Sequence, residues 1–383
     1  MIDILIYSMD DQPPLREYCS SKEWVNIEVL RGKKVLLLIS NLSISDEELE
    51  ILKEKFEMVH EREHGFYAIV WLPITTVDLT KDTSFNNKRV KMIGYTVRHP
   101  LLPDAWGSKE EAVLMLVDEQ GKIVCTNALH MFRIWGYRAL PFTGVKEREL
   151  WREEKWGIRL LLDTVDSSTL NERRNEDMIC MYGGVNKEWL LAFKTEAKKI
   201  FSERDMIYVG KSNSTNEQLL DLLTSHNVIK AWKQFKTVYH FWARLASIVQ
   251  VGHQLVHTGE NDVILSKAKI LLALDCHKEG WALFGTVGGA ETIMAAGESA
   301  LAALKKCTER QTTETKGKSG LVVTLKEYIE SNNMGIMWPR ATHHCCCLLT
   351  AEGFDLKHSK PPLCAQCNQP MEQYSMFRCC RHP

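Results

Sequence analysis

The sequence contains no cysteine between Cys19 and Cys125, no long apolar run and no block of one charge. Its apolar stretches, Val35–Ile39, Val113–Val117 and Trp281–Val287, have the length of β-strands and fall far short of the ~20 residues that cross a membrane. The formal net charge of −1 offers no basic surface for nucleic acid or an anionic membrane. We therefore expect neither a membrane span nor a nucleic-acid partner.

The N-terminal segment Met1–Asp10 has two aspartates and no basic residue, which is not the pattern of a secretory signal. We therefore expect a cytoplasmic protein whose 12 cysteines are thiols or metal ligands and not disulfides. The chain has 383 residues, of which 45% are apolar and 25% charged, and these values are typical of a globular protein with more than one domain.

Four regions are predicted. Residues 1–32 are a lead-in, 33–150 a first α/β domain, 151–340 a second α/β domain and 341–383 a cysteine-rich tail. In the first domain, the apolar run from Lys34 to Ser40 predicts a strand buried on both faces. A helix follows, with Ser45 as its N-cap and Glu48 completing a capping box. Tyr67–Leu72 is a second strand, ended by Pro73 and parallel to the first.

A hairpin comes next, because Ala112–Val117 and Lys122–Cys125 flank a turn, and a closing helix begins near Asn127. This order of elements is the thioredoxin arrangement. Thioredoxins carry a cysteine pair at the start of the helix after the first central strand, which here is Asn41–Ser45 without cysteine. The proline expected before the hairpin is also missing from Glu110–Ala112. We expect no disulfide exchange in this domain.

The second domain is predicted to contain strands at Met178–Tyr182, Met206–Val209 and Trp281–Thr286, and a helix over Ala290–Lys306. An aromatic stripe between them has helical spacing and is interpreted as core or subunit interface: Trp232, Phe235, Tyr239 and Trp242.

Two motifs of this region are interpreted without chemistry. Gly210-Lys211-Ser212 lacks the glycine that a phosphate loop needs at position 205, which is Asp205, so it is a turn at a strand end. His253 and His257 have metal-ligand spacing, but no glutamate follows the first, and we interpret them as surface residues.

The tail is the best candidate for a metal site, since seven cysteines follow residue 344. Two from a knuckle and two from a later pair suit tetrahedral zinc. The histidines and cysteines at 343–347 compete as ligands, and reduced thiols are the alternative to zinc. The candidate ligands are Cys364, Cys367, Cys379, Cys380 and His382.

Several motifs together resemble the sieve element occlusion proteins of plants, in one order from about residue 28 to the C-terminus. They are Lys33–Ser40, Ser45–Leu49, Val70–Ile74, Asn127–Met131, Cys180–Gly184, Tyr208–Asn213, Phe241–Leu245 and the tail cysteines.

The resemblance implies a phloem protein, or P-protein, that needs no enzyme activity and no cofactor. Proteins of this family associate with themselves and with other members into filaments in sieve elements, and are linked to phloem development and to occlusion of sieve tubes after wounding. A thiol-redox protein using Cys364 and Cys367, or a zinc-dependent binding module, is the alternative.

Two departures from the family pattern stand out. Family members carry a long N-terminal domain ahead of this part, so the resemblance implies a shorter member or a piece of one, whose filament formation is then open. The family tail reads Cys-Cys-His, whereas Arg381 separates Cys380 from His382 here. This weakens a metal role for His382.

Overall fold

A computed structural model gives the fold. It describes residues 13–17, 23–63, 65–75, 83–92, 94–98, 112–163, 165, 170, 172–184, 186–210, 233–255, 263–275, 279–311, 324–328, 347–350 and 372–375. The chain divides into one compact unit at residues 1–335 and a second at 336–383. In the second unit, two strands pair in parallel, Cys347–Thr350 with Glu372–Ser375. The predicted boundaries near residues 33, 150 and 340 stay predictions.

The first sheet has seven strands in the order β2-β1-β5-β4-β3-β6-β7. The strands are β1 (Leu15–Glu17), β2 (Trp24–Val25), β3 (Lys34–Asn41), β4 (Tyr67–Ile74), β5 (Tyr95–Val97), β6 (Val113–Val117) and β7 (Ile123–Cys125). As predicted, β3 is buried along its length and runs parallel to β4. Pro73 does not end β4, because it still aligns with Ser40 of β3.

Ordered structure begins earlier than expected, since β1 and β2 lie within the lead-in and extend the sheet. These strands have three and two residues, too few to show the alternation that marks a strand in sequence.

The described residues beside this sheet and in the segment after it include five α-helices: α1 (Asp46–Arg62), α2 (Thr83–Arg89), α3 (Leu129–Trp135), α4 (Gly144–Glu153) and α5 (Ile158–Leu162). The buried stripe of α1 includes Leu49, Leu52 and Phe56. Phe56 meets Phe132 of α3 with ring centroids 5.1 Å apart. Helices α1 and α3 therefore lie side by side.

The second sheet has four strands in the order β11-β10-β8-β9. The elements are β8 (Met178–Gly183), α6 (Lys187–Ala197), β9 (Met206–Tyr208), α7 (Lys233–Leu255), α8 (Val263–Leu274), β10 (Trp281–Thr286), β11 (Thr292–Ala296) and α9 (Gly297–Gln311). The predicted helix over Ala290–Lys306 is wrong in its first part. Thr292–Ala296 pairs with all but the last residue of β10 as a strand, and the helix starts at Gly297.

The second sheet repeats the connectivity of the first. In each, the first strand runs parallel to the second through a helix, then antiparallel to the third, and a hairpin and a helix follow. The strand orders β4-β3-β6-β7 and β9-β8-β10-β11 correspond one to one. We call residues 34–135 repeat 1 and residues 178–311 repeat 2. Both have the thioredoxin-like arrangement.

Candidate functional site at the start of helix α1

The position that holds the cysteine pair in a thioredoxin is occupied here by a serine-capped helix end. Ser45 has extended backbone angles, and its hydroxyl accepts the backbone N–H of Glu48 at 3.1 Å. Before it, the Asn41 side chain accepts hydrogen bonds from the backbone and hydroxyl of Ser43. The turn is thus built from polar side chains that satisfy the helix start, and it holds no thiol.

The first turn of α1 is acidic and its charges are neutralised by lysines and an arginine. Asp46 forms ion pairs with Lys91 at 2.6 Å and with Lys88 at 3.7 Å. The hydrogen bond from Lys91 holds the pKa of Asp46 below its ordinary value. Carboxylates at a helix N-terminus also interact favourably with the helix dipole. This arrangement stabilises the helix and offers no nucleophile.

Glu48 departs from the predicted capping box. Its side chain is only 2% exposed, and one carboxylate oxygen accepts both Nε and Nη2 of Arg133 at 3.0 and 2.7 Å. The carboxylate therefore turns towards the end of α3 and leaves only the Ser45 half of the box. Such a charge-assisted pair is stronger than a hydrogen bond between neutral groups.

Helix α7 lies against this helix end. The Tyr239 hydroxyl interacts with Ser45 and Glu48, and burial followed by the charge of Glu48 raises the pKa of Tyr239 to about 12. Lys236 forms an ion pair with Glu54, which follows Glu48 by six residues on α1. The start of α1 is therefore covered by the chain itself.

The same helix face meets the end of α3. The Arg244 guanidinium is 1% exposed and donates to the carbonyls of Leu160 at 2.7 Å and Arg133 at 3.2 Å. Lys55 of α1 donates to the carbonyls of Phe132 and Arg133. Two cations thus satisfy the final carbonyls of a short helix, where the dipole favours positive charge. Burial lowers the pKa of both side chains, that of Arg244 to about 10.

Repeat 2 closes the equivalent position with glycines and aromatic rings. Asn186 caps α6 by accepting the Trp189 backbone N–H at 3.0 Å, and the Trp189 ring stacks on Phe193. A Cβ at Gly280, just before β10, would stand 2.2 Å from that tryptophan ring. Trp242 of α7 donates to the Val209 carbonyl at 2.6 Å and packs edge-on against Trp281. These side chains pack directly against one another at the start of α6.

A family model described as "Sieve element occlusion C-terminus" matches residues 145–381, more than half of the chain. The chain belongs to the sieve element occlusion family. The resemblance inferred from the motifs is thereby confirmed.

Curated relatives in Arabidopsis thaliana carry the family name. Protein SIEVE ELEMENT OCCLUSION B is 28% identical, with 99% of this chain and 54% of the relative aligned. Protein SIEVE ELEMENT OCCLUSION A is 26% identical over 94% of this chain and 45% of the relative. This member of the sieve element occlusion family thus spans about half the length of these relatives.

Two solved structures that align with part of this chain carry titles that name thiol-redox proteins. Tryparedoxin from Trypanosoma brucei aligns with a TM-score of 0.28 and 19% identity over 36% of this chain and 95% of its own. The thioredoxin domain of a thiol-disulfide oxidoreductase from Bacteroides vulgatus aligns with a TM-score of 0.21 and 14% identity, over 31% of this chain and 87% of its own. The fold assignment of this sieve element occlusion chain stands on its strand order and not on these likenesses.

Three cysteines lie in the part of the chain whose side chains are described, and each is a thiol: Cys125, Cys180 and Cys307. Burial raises the pKa of Cys125 and of Cys180, so both are protonated at neutral pH. Disulfide exchange needs a thiolate, so neither residue is suited to attack.

Most of the remaining predicted site residues lie outside the described residues. Cys364, Cys367, Cys379, Cys380 and His382 lie outside them, as do His257, Lys211 and Glu110–Glu111. His253 lies within α7. Among the described residues, no group of three or more His, Cys, Asp or Glu side chains could hold a metal ion.

The bounds of the helices allow their length and apolar content to be compared with what a bilayer span requires. Of those that the structure describes, none is both long enough and apolar enough to span a bilayer, including the 23-residue α7.

Sequence reasoning located the start of α1 but missed what surrounds it. The Glu48–Arg133 pair spans 85 residues and the Arg244–Leu160 bond spans 84, so no local pattern reveals them. The aromatic stripe containing Tyr239 and Trp242 did predict a packed helix, without saying against what it packs.

Proposed function

We propose that this chain is a non-enzymatic structural phloem protein that self-associates, with its own copies and with other family members, into filaments in the cytoplasm of sieve elements. Through these filaments it contributes to phloem development and to occlusion of sieve tubes after wounding. The observation that carries the proposal is the family match combined with the start of α1, where a capped, charge-neutralised helix end replaces the redox cysteines.

The closed helix end supports a structural role because it leaves no place for thiol–disulfide exchange, the chemistry for which a thioredoxin-like fold is otherwise suited. A thioredoxin-type site needs a low-pKa thiol at the helix start and an open surface for the substrate disulfide. Here the helix start has Ser45 and the surface is occupied by Tyr239. The fold remains as a scaffold, and a scaffold is what an assembling protein requires.

Thiol-redox activity in the tail is the first alternative. It would rely on Cys364 and Cys367, since the described cysteines with a shifted pKa are protonated thiols. Their sequence spacing also suits one knuckle of a zinc site.

We propose that the tail binds one zinc ion through Cys364, Cys367, Cys379 and Cys380. Metal analysis of the reduced, purified chain is expected to give about one zinc per chain, because four thiolates complete a tetrahedral site. A Cys364→Ser variant should lose the metal, whereas Cys125→Ser, whose thiol lies in β7, should keep it. A zinc content near zero in the parent chain would reject this part of the proposal.

Filament formation is tested by negative-stain electron microscopy of the purified chain, alone and mixed with a full-length family member. We expect filaments in at least the mixed sample, with this chain present along them by immunogold labelling. Monodisperse monomers in both samples would contradict the proposed function.

A further inference from the structure

The chain between the two repeats, residues 136–177, passes from contacts with repeat 1 to contacts with repeat 2 around the exposed Lys155. Glu154 accepts the indole N–H of Trp135, which ends repeat 1, at 2.8 Å. Two residues later, the Trp156 indole donates to the Thr292 hydroxyl of repeat 2 at 2.7 Å. Between them Lys155 is exposed. The backbone therefore crosses from one repeat to the other at Lys155.

Helix α7 holds the two repeats together non-covalently. It is fixed to repeat 2 by Trp242, which contacts Val209 and Trp281. It also contacts α1 and α3 of repeat 1, through Lys236, Tyr239 and Arg244, and through a hydrogen bond between Ser247 and His130. We call this contact of α7 with α1 and α3 the seam.

The seam combines an apolar stripe with buried ionisable groups. Phe241, Leu245 and Ile248 are fully or almost fully buried. Beside them, two buried polar atoms, Oε2 of Glu48 and Nε2 of His240, have no hydrogen-bond partner within the described part of the chain. Leaving a polar atom buried and unpartnered is destabilising, because its hydration is lost without a replacement hydrogen bond. The two unpartnered polar atoms therefore lower the stability of the seam.

The two sides of the seam are different surfaces, one on α7 and the other on α1 and α3. Every copy of the chain carries both. A second copy therefore offers each of these surfaces the partner surface that it binds within its own chain, with the same ion pair and the same apolar stripe. Exchange of an identical element between copies costs little, and short hinge segments favour it.

We propose that repeat 2 of one copy docks, through its α7, on α1 and α3 of repeat 1 of another copy. This inference rests on the proposed function and names the contact that builds the filament. Because the two surfaces differ, each copy still has one surface of each kind to offer, and the contact propagates head to tail unless a ring closes. Lys155 is the hinge at which the chain opens.

The Lys236–Glu54 ion pair gives a direct test, because a carbodiimide joins an amine and a carboxylate that are in contact. Filaments are assembled from equal amounts of chain labelled with light and with heavy nitrogen, treated with carbodiimide, digested and analysed by mass spectrometry. Two ion pairs that do not cross the seam serve as controls. They are Lys91–Asp46, within repeat 1, and Lys326–Glu291, which joins repeat 2 to the residues that follow it.

In filaments, about half of the Lys236–Glu54 cross-links are expected to join a light and a heavy peptide, as random mixing of copies dictates. The two control cross-links should stay within one isotope. Filaments whose Lys236–Glu54 cross-links stay within one isotope would overturn the exchange and leave the proposed function standing. The same isotope mixture is also treated in the presence of a full-length family member, and monomers in both samples, with only single-isotope cross-links, would overturn both.

Discussion

The two repeats solve one problem with different chemistry. In each, a helix begins after the first central strand, where a thioredoxin carries its cysteines. Repeat 1 fills this place with a serine cap, acidic side chains and their basic partners. Repeat 2 fills it with close-packed glycines and tryptophans. In both repeats, a side chain caps the start of this helix and neighbouring residues cover it, although the residues that do so differ.

Helix α7 is the element common to both closures, since Tyr239 faces the first and Trp242 the second. Repeat 1 should therefore respond to changes of charge, and repeat 2 to changes of volume. Substitutions in the two repeats, followed by measurements of unfolding, test this difference.

Removing the Trp242 side chain should have the largest effect. Trp242→Ala leaves a cavity against Trp281 and frees the Val209 carbonyl, so unfolding should become easier by about 3–5 kcal/mol. Urea denaturation followed by circular dichroism measures this change. The control is Trp24→Ala, whose residue is 38% exposed and lies beneath Arg98, and which should cost less than Trp242→Ala. Equal losses in both variants would contradict the packing role of Trp242.

Acidification should weaken the seam on the repeat 1 side. Burial lowers the pKa of His130 from 6.5 to about 4, with the nearby Arg133 charge as a second cause. A histidine whose pKa is lowered by folding stabilises the folded state above the unfolded pKa, and this contribution is lost as pH falls from about 6.5 towards 4. The loss amounts to at most about 3 kcal/mol.

His130→Gln should flatten this part of the pH dependence, measured as the free energy of unfolding between those two pH values. The exposed His60, changed to Gln, is the matched control and should leave the slope unchanged. An unaltered slope in the His130 variant would show that other groups cause the acid sensitivity.

Adding one methyl group to repeat 2 should also destabilise it. Gly280→Ala would place a Cβ 2.2 Å from the Trp189 ring, and overpacking of this kind costs about 1–3 kcal/mol. Gly144→Ala at the start of α4 is the control, since the nearest atom there would stand at an ordinary 3.6 Å. Thermal unfolding measures both. A Gly280 variant as stable as the parent would show that the glycine cluster is not tightly packed.

Removing the helix cap of repeat 1 should have the smallest effect. Ser45→Ala deletes the acceptor for the Glu48 backbone N–H and should cost about 1 kcal/mol. Ser45→Asp, which restores an acceptor, should recover part of the stability in the same denaturation experiment. If alanine and aspartate behave alike, the cap does not contribute.

The first repeat could be predicted from sequence because its signals are local. The apolar run of β3, the Ser45 cap and the β6–β7 hairpin each lie within a few consecutive residues. The second repeat escaped notice because of one strand. Thr292–Ala296 is followed directly by a helix and contains two alanines, so its sequence favours helix, and only pairing with β10 makes it a strand. Without it, the hairpin that reveals the repeat was not visible.

The site itself was predictable only as an absence. The lack of a cysteine pair follows from the sequence, but the covering helix does not, because α7 reaches α1 through contacts about 180 residues apart in the chain, such as Lys236–Glu54. Such long-range contacts depend on how both repeats fold and leave no periodic signal.

The central claim is that this thioredoxin-like chain does no thiol chemistry. An insulin-reduction assay with the purified chain and dithiothreitol tests it most directly, with a Cys364→Ser variant alongside. We expect the same rate of insulin precipitation with the parent chain, with the variant and with buffer alone. A faster rate with the parent chain that the Cys364→Ser variant abolishes would contradict it.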